Sequence, residues 1–190
     1  HGTRFVLDGV AAARVRLVVL DVDGVLTDNG IFIGAVDGQR VEFKRFDIQD
    51  GLGLAVLRLA GLEVAIVSGR VSEATAFRMR ELGIAEVVQD DGARKLPALR
   101  SLLAARGLDW SAVCYVGDDL ADVPVMRRVG VPIAVQNAVP EVKALARFVT
   151  ERRGGDGAVR EAIEMLLRAR DAWDVAVQRY YRERGDDDEA

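Results

Sequence analysis

The sequence has only one histidine and one cysteine, His1 and Cys114, among its 190 residues. A Ser-His-Asp triad, a Cys-His dyad and a histidine-rich zinc site all need an internal imidazole, so this composition argues against all three kinds of site. A single cysteine forms no disulfide within the chain, which indicates a reducing compartment. A metal ion would have to be bound by oxygen atoms, and a hard cation such as Mg²⁺ is therefore expected.

The sequence also lacks a long apolar run and an excess of basic charge. No apolar run approaches the roughly 20 residues of a membrane-spanning helix, and the first residues do not resemble a signal peptide. The 26 Lys and Arg residues against 30 Asp and Glu give a net charge of −4, which residues 186–189 account for. This balance argues against a nucleic-acid binder. We expect a cytoplasmic protein with neither nucleic acid nor membrane as a partner.

Short apolar runs alternate with segments of helical period along the chain. The runs are apolar on both faces, as strands are when helices cover both sides of a parallel sheet. The predicted strands are Arg16–Leu20, Glu63–Val67, Glu86–Val88, Ala112–Val116 and Val131–Val135. The pattern predicts an α/β fold with a doubly wound, Rossmann-like parallel sheet in one domain over residues 1–184. An acidic tail at 185–190 follows.

Helix signals lie between these runs. Residues 52–59 have apolar positions on one helical face, Ser72 is placed to cap the next helix, and Pro97 falls in the first turn of a third. After the glycine-rich turn at 154–157, one continuous helix is predicted from about Ala158 to Arg182.

Residues 31–46 interrupt the alternation. Two extended arms flank Asp37-Gly38, a dipeptide typical of a type I′ turn, so this segment is predicted to be a β-hairpin inserted after the first strand. Its apolar residues exceed what one face against the protein's own core requires, which indicates an interface.

Polar residues follow three of the predicted strands. Asp21 and Asp23 come after the first, Ser68 and Arg70 after the second, and Asp118 after the fourth. Because ligands bind at the carboxyl ends of parallel strands, these side chains are expected to share one crevice. Clustered carboxylates repel one another and call for a cation, best assigned as Mg²⁺.

This arrangement suits phosphoryl transfer. A metal-screened Asp21 can attack phosphorus, and Asp23, two residues on, can protonate the leaving oxygen and later deprotonate water. Ser68 and the ammonium of Lys95, at the start of the third helix, would hold the phosphoryl oxygens.

The order of these motifs resembles the haloacid dehalogenase phosphohydrolase superfamily. The motifs are Asp-Val-Asp-Gly-Val at 21–25, Ser-Gly-Arg at 68–70, Lys95, and Gly-Asp-Asp at 117–119 followed by Asp122. With Asp50-Gly51 and the glycine-rich stretch at 154–161, they are similar to the branch that acts on phosphates of 2-keto-3-deoxy sugar acids. The resemblance covers roughly residues 14–168. It implies a Mg²⁺-dependent, homotetrameric phosphatase, with 3-deoxy-D-manno-octulosonate 8-phosphate, a precursor in lipopolysaccharide synthesis, as the expected substrate.

The resemblance also implies roles for individual residues. Asp21 would be the nucleophile and Asp23 the general acid and base; Asp21, Asp23 through its carbonyl, and Asp118 would bind the metal. Ser68 and Lys95 would bind the phosphoryl group. The residues expected to contact the rest of the substrate are Asp47, Asp50, Gly51, Gly69, Arg70 and Arg78.

The spacing of the motifs leaves no room for a cap domain. Between Asp23 and Ser68 the chain has space only for the hairpin, one helix and one strand, and between Ser68 and Lys95 for one helix and a short strand. An uncapped crevice needs walls from elsewhere to exclude water. We therefore expect a homotetramer in which hairpins pair around a central axis and close one another's sites. The C-terminal helix could also reach a neighbouring subunit's site.

Several alternatives stay open from the sequence. Ala55 stands where family members often have a basic residue, so the substrate could be another keto-deoxy sugar-acid phosphate, such as a nine-carbon one. Asp119 and Asp122 could each orient a metal-bound water or cap a helix, and residues 154–157 could cradle an anion or form a flexible turn. A phospho-accepting receiver module also combines acids, a hydroxyl and a lysine, but it separates its acidic pair from its phosphoacceptor onto different strands.

Overall fold

The computed structural model describes residues 7–186, so His1 and residues 187–190 of the predicted acidic tail lie outside the described part. The strands are β1 Leu17–Leu20, β2 Phe32–Val36, β3 Gln39–Phe43, β4 Glu63–Ser68, β5 Val87–Gln89, β6 Val113–Gly117, β7 Val131–Ala134 and β8 Phe148–Val149. The helices are α1 Gly9–Arg14, α2 Ile48–Leu59, α3 Glu73–Glu81, α4 Lys95–Arg106, α5 Val123–Met126, α6 Pro140–Lys143, α7 Ala158–Ala169 and α8 Trp173–Arg182.

Six strands form one parallel sheet in the order β5-β4-β1-β6-β7-β8. Residues of β1, β6 and β7 are buried throughout, because helices cover both faces of the sheet. The predicted doubly wound α/β fold is thus confirmed. β1 lies between β4 and β6, so the loops that follow these three strands meet at one edge of the sheet.

The hairpin is the second, two-stranded sheet. Phe32 pairs with Phe43 and Val36 with Gln39 in an antiparallel register. Asp37 and Gly38 at the tip both have positive φ, 51° and 75°, as a type I′ turn requires. The predicted insertion after β1 is therefore confirmed, and its strands are largely exposed.

The predicted continuous helix from Ala158 to Arg182 is wrong: the structure has two helices, α7 and α8, with a break between Ala169 and Trp173. Asp171 adopts a left-handed conformation, with φ 55°, which a continuing α-helix does not permit. The Arg170 guanidinium donates to the carbonyl oxygens of Ala12 and Val15 at 2.8 and 2.7 Å, which anchors the break. Neither glycine nor proline marks this position in the sequence.

No helix in residues 7–186 combines the length and apolar character that crossing a membrane requires.

Asp50 links α2 to the beginning of α7. Its side chain is buried, and Oδ1 accepts a hydrogen bond of 2.8 Å from the backbone N–H of Arg160. The N-cap of α7 is Gly157, which offers no side-chain acceptor, so Asp50 satisfies a donor that the helix's own sequence leaves unpaired. Among the described residues, Oδ2 of Asp50 has no hydrogen-bond partner.

Burial raises the pKa of Asp50 from the ordinary 3.8 to about 7, against the lowering effect of the Arg160 N–H. The folded state therefore binds this proton more tightly than the unfolded chain does. The corresponding stability is present below pH 3.8 and is lost as the pH rises through about 7.

Replacing Asp50 by Asn should remove this pH dependence, because the amide stays neutral. Between pH 5 and pH 8 the free energy of unfolding of the wild type should fall by about 2 kcal/mol relative to that of Asp50→Asn. Urea unfolding followed by circular dichroism at both pH values measures this. The control is Asp109→Asn: a hydrogen bond from Ser111 lowers the pKa of that exposed carboxylate, which is therefore ionised in both states over this pH range and should show no pH-dependent difference. A pH-independent difference for Asp50→Asn would contradict the assignment.

Candidate active site

The carboxyl ends of three adjacent strands deliver the predicted polar side chains to one crevice. Asp21 directly follows β1, Ser68 is the last residue of β4, and Asp118 directly follows β6; all three are buried. Lys95 is the first residue of α4 and is 4% exposed. The structure thus brings these four predicted residues together at one edge of the sheet.

Lys95 lies between two carboxylates. Its Nζ is 2.8 Å from Oδ2 of Asp21 and 2.7 Å from Oδ1 of Asp122. Burial acts to lower the pKa of Lys95, but attraction by Asp21 and Asp122 outweighs it and raises the pKa above the usual value. The ammonium is therefore charged and fixed beside the Asp21 side chain.

Three buried carboxylates, those of Asp21, Asp118 and Asp122, offer oxygens that all lie within 4.8 Å of one another. Burial and the neighbouring negative charges raise the pKa values of both Asp21 and Asp118. Among the described residues, Oδ1 of Asp118 is buried without a hydrogen-bond partner. A buried carboxylate oxygen aimed into a carboxylate cluster is what a hard divalent cation would satisfy, so these residues fit Mg²⁺.

Asp122 is already fully engaged. Its Oδ1 accepts from Lys95 and from the Tyr115 hydroxyl at 2.5 Å, and its Oδ2 accepts from the backbone N–H groups of Asp118 and Asp119 at 2.8 and 3.1 Å. It therefore orients Lys95 and the Asp118 loop. Of the two roles left open for Asp119, the structure shows capping: its side chain accepts from Leu120 N at the 3₁₀ turn that follows.

Close backbone approaches hold the loop after β1, which carries Asp21 and Gly24, in place. Gly24 has φ +87°, and a Cβ there would lie 1.9 Å from Oδ2 of Asp118. A Cβ on Gly154 would lie 1.8 Å from the Gly24 carbonyl oxygen, and the Asn137 side chain joins the same two residues, donating to Gly24 O and accepting from Gly154 N. The glycine-rich stretch at 154–157 is thus packed against the loop after β1.

Asp23 lies beside the hairpin, in contact with two cations. Its Oδ1 is 2.8 Å from Nζ of Lys44, and its Oδ2 is 3.4 Å from a guanidinium nitrogen of Arg70. Glu42 in turn is 3.0 Å from Arg70 and accepts a hydrogen bond of 2.8 Å from the Ser72 hydroxyl. Sequence reasoning missed Lys44 and Glu42. Their signal was the alternation of charged residues at 40, 42 and 44 along β3.

The predicted phosphoryl-binding loop lies at the end of β4. The Ser68 hydroxyl donates to Arg70 O and accepts from Arg70 N, at 3.2 and 3.3 Å. A Cβ on Gly69 would lie 3.0 Å from the Ala93 Cβ and 3.6 Å from Lys95 Cε, so this loop packs directly against the start of α4. The structure therefore brings Ser68, Gly69 and Lys95 together.

The remaining predicted substrate residues lie at the start of α2, apart from Arg78, which reaches this helix end from α3. Arg78 donates to the carbonyl oxygen of Asp47 at 3.4 Å, and its guanidinium lies 3.0 Å from where a Cβ of Gly51 would be. Asp50 lies instead against Arg160 of α7. In the described part of the chain, no hydrogen bond or ion pair joins this group to the carboxylate cluster, and its contact with substrate stays a prediction.

A cavity of about 540 Å³ opens beside the same helix end. It is lined by Arg45, Phe46, Asp47, Ile48, Gln49, Arg152 and Asp156. Neither Asp21 nor Lys95 lines it, so the cavity is separate from the carboxylate crevice.

Comparisons with known proteins agree with this geometry. The haloacid dehalogenase-like hydrolase family matches residues 77–163. The chain is 41% identical over 160 residues to the 3-deoxy-D-manno-octulosonate 8-phosphate phosphatase of Yersinia pestis, covering 84% of this chain and 83% of the relative. It is also 41% identical to the enzyme of the same name from Escherichia coli K12, over 87% of this chain and 86% of that one.

Solved structures show the same fold. The 3-deoxy-D-manno-octulosonate 8-phosphate phosphatase from Moraxella catarrhalis, in complex with magnesium ion, phosphate ion and the KDO molecule, superimposes with a TM-score of 0.84 at 36% identity. The match covers 90% of this chain and 97% of that one. Together with the carboxylate crevice, this similarity over most of both sequences shows that the chain belongs to the haloacid dehalogenase-like hydrolase family.

Proposed function

We propose that this chain is a Mg²⁺-dependent phosphatase that releases phosphate from 3-deoxy-D-manno-octulosonate 8-phosphate through an aspartyl-phosphate intermediate. The observation that carries the proposal is the crevice in which Lys95 holds the Asp21 carboxylate beside the unpartnered oxygen of Asp118. A carboxylate fixed next to a cation site is suited to attack phosphorus.

The reaction proceeds in two displacements. Asp21 forms a bond to phosphorus, the phosphorus–oxygen bond to the sugar breaks, and the electron pair stays on the sugar oxygen, which takes a proton from Asp23. Water then attacks the phosphorus of the aspartyl phosphate and gives its proton to Asp23, while the bond to Asp21 breaks. Inorganic phosphate leaves, and both carboxyl groups return to their initial states.

The protein's own groups supply most of the electrostatic environment. Asp21, Asp118 and the backbone carbonyl of Asp23 would hold Mg²⁺, which when bound neutralises charge on the phosphoryl oxygens. Lys95 adds a fixed positive charge on the same side, and Ser68 with the backbone after it provides hydrogen-bond donors. This combination lets a carboxylate approach a phosphate dianion that it would otherwise repel.

The names of the similar proteins support the choice of substrate. The relatives at 41% identity are 3-deoxy-D-manno-octulosonate 8-phosphate phosphatases, and the Moraxella structure holds the KDO molecule. The proposal includes a place in lipopolysaccharide precursor synthesis in the cytoplasm, a compartment in which the thiol of Cys114 would stay reduced. A nine-carbon keto-deoxy sugar-acid phosphate is the second candidate, since Ala55 removes a cation that family members often carry. Family membership speaks against the receiver-like alternative.

The proposal includes a homotetramer assembled through the hairpins. On one face of the hairpin Phe32 and Phe43 lie directly opposite each other and are 70% and 65% exposed, and Val36 on the same face is 58% exposed. A two-stranded hairpin is only marginally stable alone, and such a patch is a typical interface. Other copies of the chain would cover it and provide the walls that an uncapped crevice lacks.

Purified protein should release inorganic phosphate fastest from 3-deoxy-D-manno-octulosonate 8-phosphate in a panel with a nine-carbon keto-deoxy sugar-acid phosphate, glucose 6-phosphate and phosphoglycolate. Asp21→Asn should reduce turnover by about 10³-fold or more, because the amide is not a nucleophile. Asp37→Asn at the hairpin tip is the control, since Asn suits the same turn. Activity confined to phosphates without a carboxylate, or substantial turnover by folded Asp21→Asn, would refute the proposal.

Asp118→Asn should weaken Mg²⁺ binding because it removes one charged ligand. The Mg²⁺ concentration for half-maximal rate should rise by more than about tenfold, and calorimetric titration of Mg²⁺ should show the same change. Asp119→Asn is the matched control, because Asn caps a helix about as well as Asp. An unchanged Mg²⁺ requirement in Asp118→Asn would remove Asp118 from the metal site.

Phe43→Glu should break the tetramer, because it introduces a charge into the exposed apolar face of the hairpin. Light scattering after size-exclusion chromatography should give four times the chain mass of 20.6 kDa for wild type and a smaller species for the variant. Phe77→Glu, at an equally exposed residue of α3, should remain tetrameric. A fully active wild-type monomer would rule out the assembly.

A further inference from the structure

Lys44 reaches the crevice from the base of the hairpin. It follows β3 directly, and alternation along the strand places it on the same side as Arg40 and Glu42. Two residues on, Phe46 forms an antiparallel bridge to Thr27, which belongs to the loop after β1. The backbone on which Lys44 is carried is thus fixed relative to Asp23.

The Lys44 ammonium is fully buried, with a side-chain exposure of 0%. Its Nζ lies 2.8 Å from Oδ1 of Asp23 and 3.7 Å from Oε1 of Glu42, and it donates to the Thr75 hydroxyl at 3.2 Å. Removing an ammonium from water is costly unless it is paired. Thr75 accepts a hydrogen bond from Nζ and the two carboxylates offset its charge, so the surroundings suit a buried ammonium.

Four charges alternate in a closed ring. Lys44 contacts Asp23, Asp23 contacts Arg70, Arg70 contacts Glu42, and Glu42 lies beside Lys44. Hydrogen bonds from Ser72 and Arg70 outweigh the effect of burial and lower the pKa of Glu42 to about 2, so this member stays ionised. Lys44 is the buried cation of the ring, whereas the Arg70 side chain is 39% exposed.

We infer that Lys44 is a positioning residue for proton transfer by Asp23. Its ammonium lies 2.8 Å from Oδ1 and, together with the Arg70 guanidinium 3.4 Å from Oδ2, fixes the carboxyl group that exchanges a proton with the leaving group and with water. Lys44 does not itself touch the reacting atoms. The inference rests on the proposed phosphatase function, in which Asp23 is the general acid and base.

Misplacement of Asp23 should matter most when the leaving oxygen needs a proton. In the first displacement the electron pair of the broken phosphorus–oxygen bond goes to that oxygen. The p-nitrophenolate ion stabilises the pair through its ring, whereas phenolate and sugar alkoxides depend more on the proton from Asp23. Loss of Lys44 should therefore make the rate more sensitive to the leaving group's pKa, which a purely structural defect would not do.

The test compares kcat/KM on a series of aryl phosphates from p-nitrophenyl to phenyl phosphate. Lys44→Met keeps the apolar stem without the charge, and Arg40→Met is the matched control on the same face of β3, at a side chain 59% exposed. For Lys44→Met we expect a loss of about 10²-fold on phenyl phosphate and less than about tenfold on p-nitrophenyl phosphate. Arg40→Met should keep the wild-type slope.

An equal loss on all aryl phosphates would overturn the inference. So would a further loss when Lys44→Met is added to Asp23→Asn, because a residue that acts through Asp23 has no effect once Asp23 is gone. If Lys44→Met does not fold, Thr75→Val, which removes only one acceptor of Lys44, takes its place. An unchanged dependence of kcat/KM on the leaving group's pKa in Thr75→Val would also overturn the inference. Wild-type activity on aryl phosphates but not on sugar-acid phosphates would refute the proposed substrate and leave this test intact.

Discussion

The buried ion pairs of Lys95 are the constraint on which the rest of the crevice depends. Asp21 and Asp122 lie close enough to repel each other, and the ammonium between them, with its raised pKa, makes that proximity tolerable. Because Asp122 also accepts from Tyr115 and from the backbone after β6, the position of Lys95 is tied to the sheet itself. The chain thus assembles a strongly charged site from residues on three strands and one helix without exposing them to water.

The two faces of the hairpin differ in character. One face carries Glu42, with Lys44 next to the end of the strand, and contacts Asp23 and Arg70 of the same chain. The other carries exposed apolar side chains, including Phe32 and Phe43. Since neighbouring residues in a strand point to opposite faces, contacts on the apolar face fix the orientation of the polar one. Any partner bound to the apolar face would therefore act on the ion pairs around Asp23 through the pleat of a single short strand.

The parts of the molecule that sequence could predict are those with a local signal. Apolar runs marked the central strands, and the residues after them placed Asp21, Ser68 and Asp118 together. The break between α7 and α8 could not be predicted, because it depends on Asp171 in a left-handed conformation and on Arg170 reaching carbonyls near residue 12. The surroundings of Lys44 and Asp50 were missed for the same reason: their partners are distant in sequence and are set by packing.

The contact between Gly154 and the Gly24 carbonyl has a consequence for the order in which the protein becomes active. Asn137, which joins these two loops, is 113 residues from Gly24 along the chain. During synthesis every motif residue from 21 to 118 leaves the ribosome before the segment around Asn137 and Gly154 that holds the loop after β1. The nascent chain therefore carries these side chains well before the loop after β1 can gain its contacts with Asn137 and Gly154.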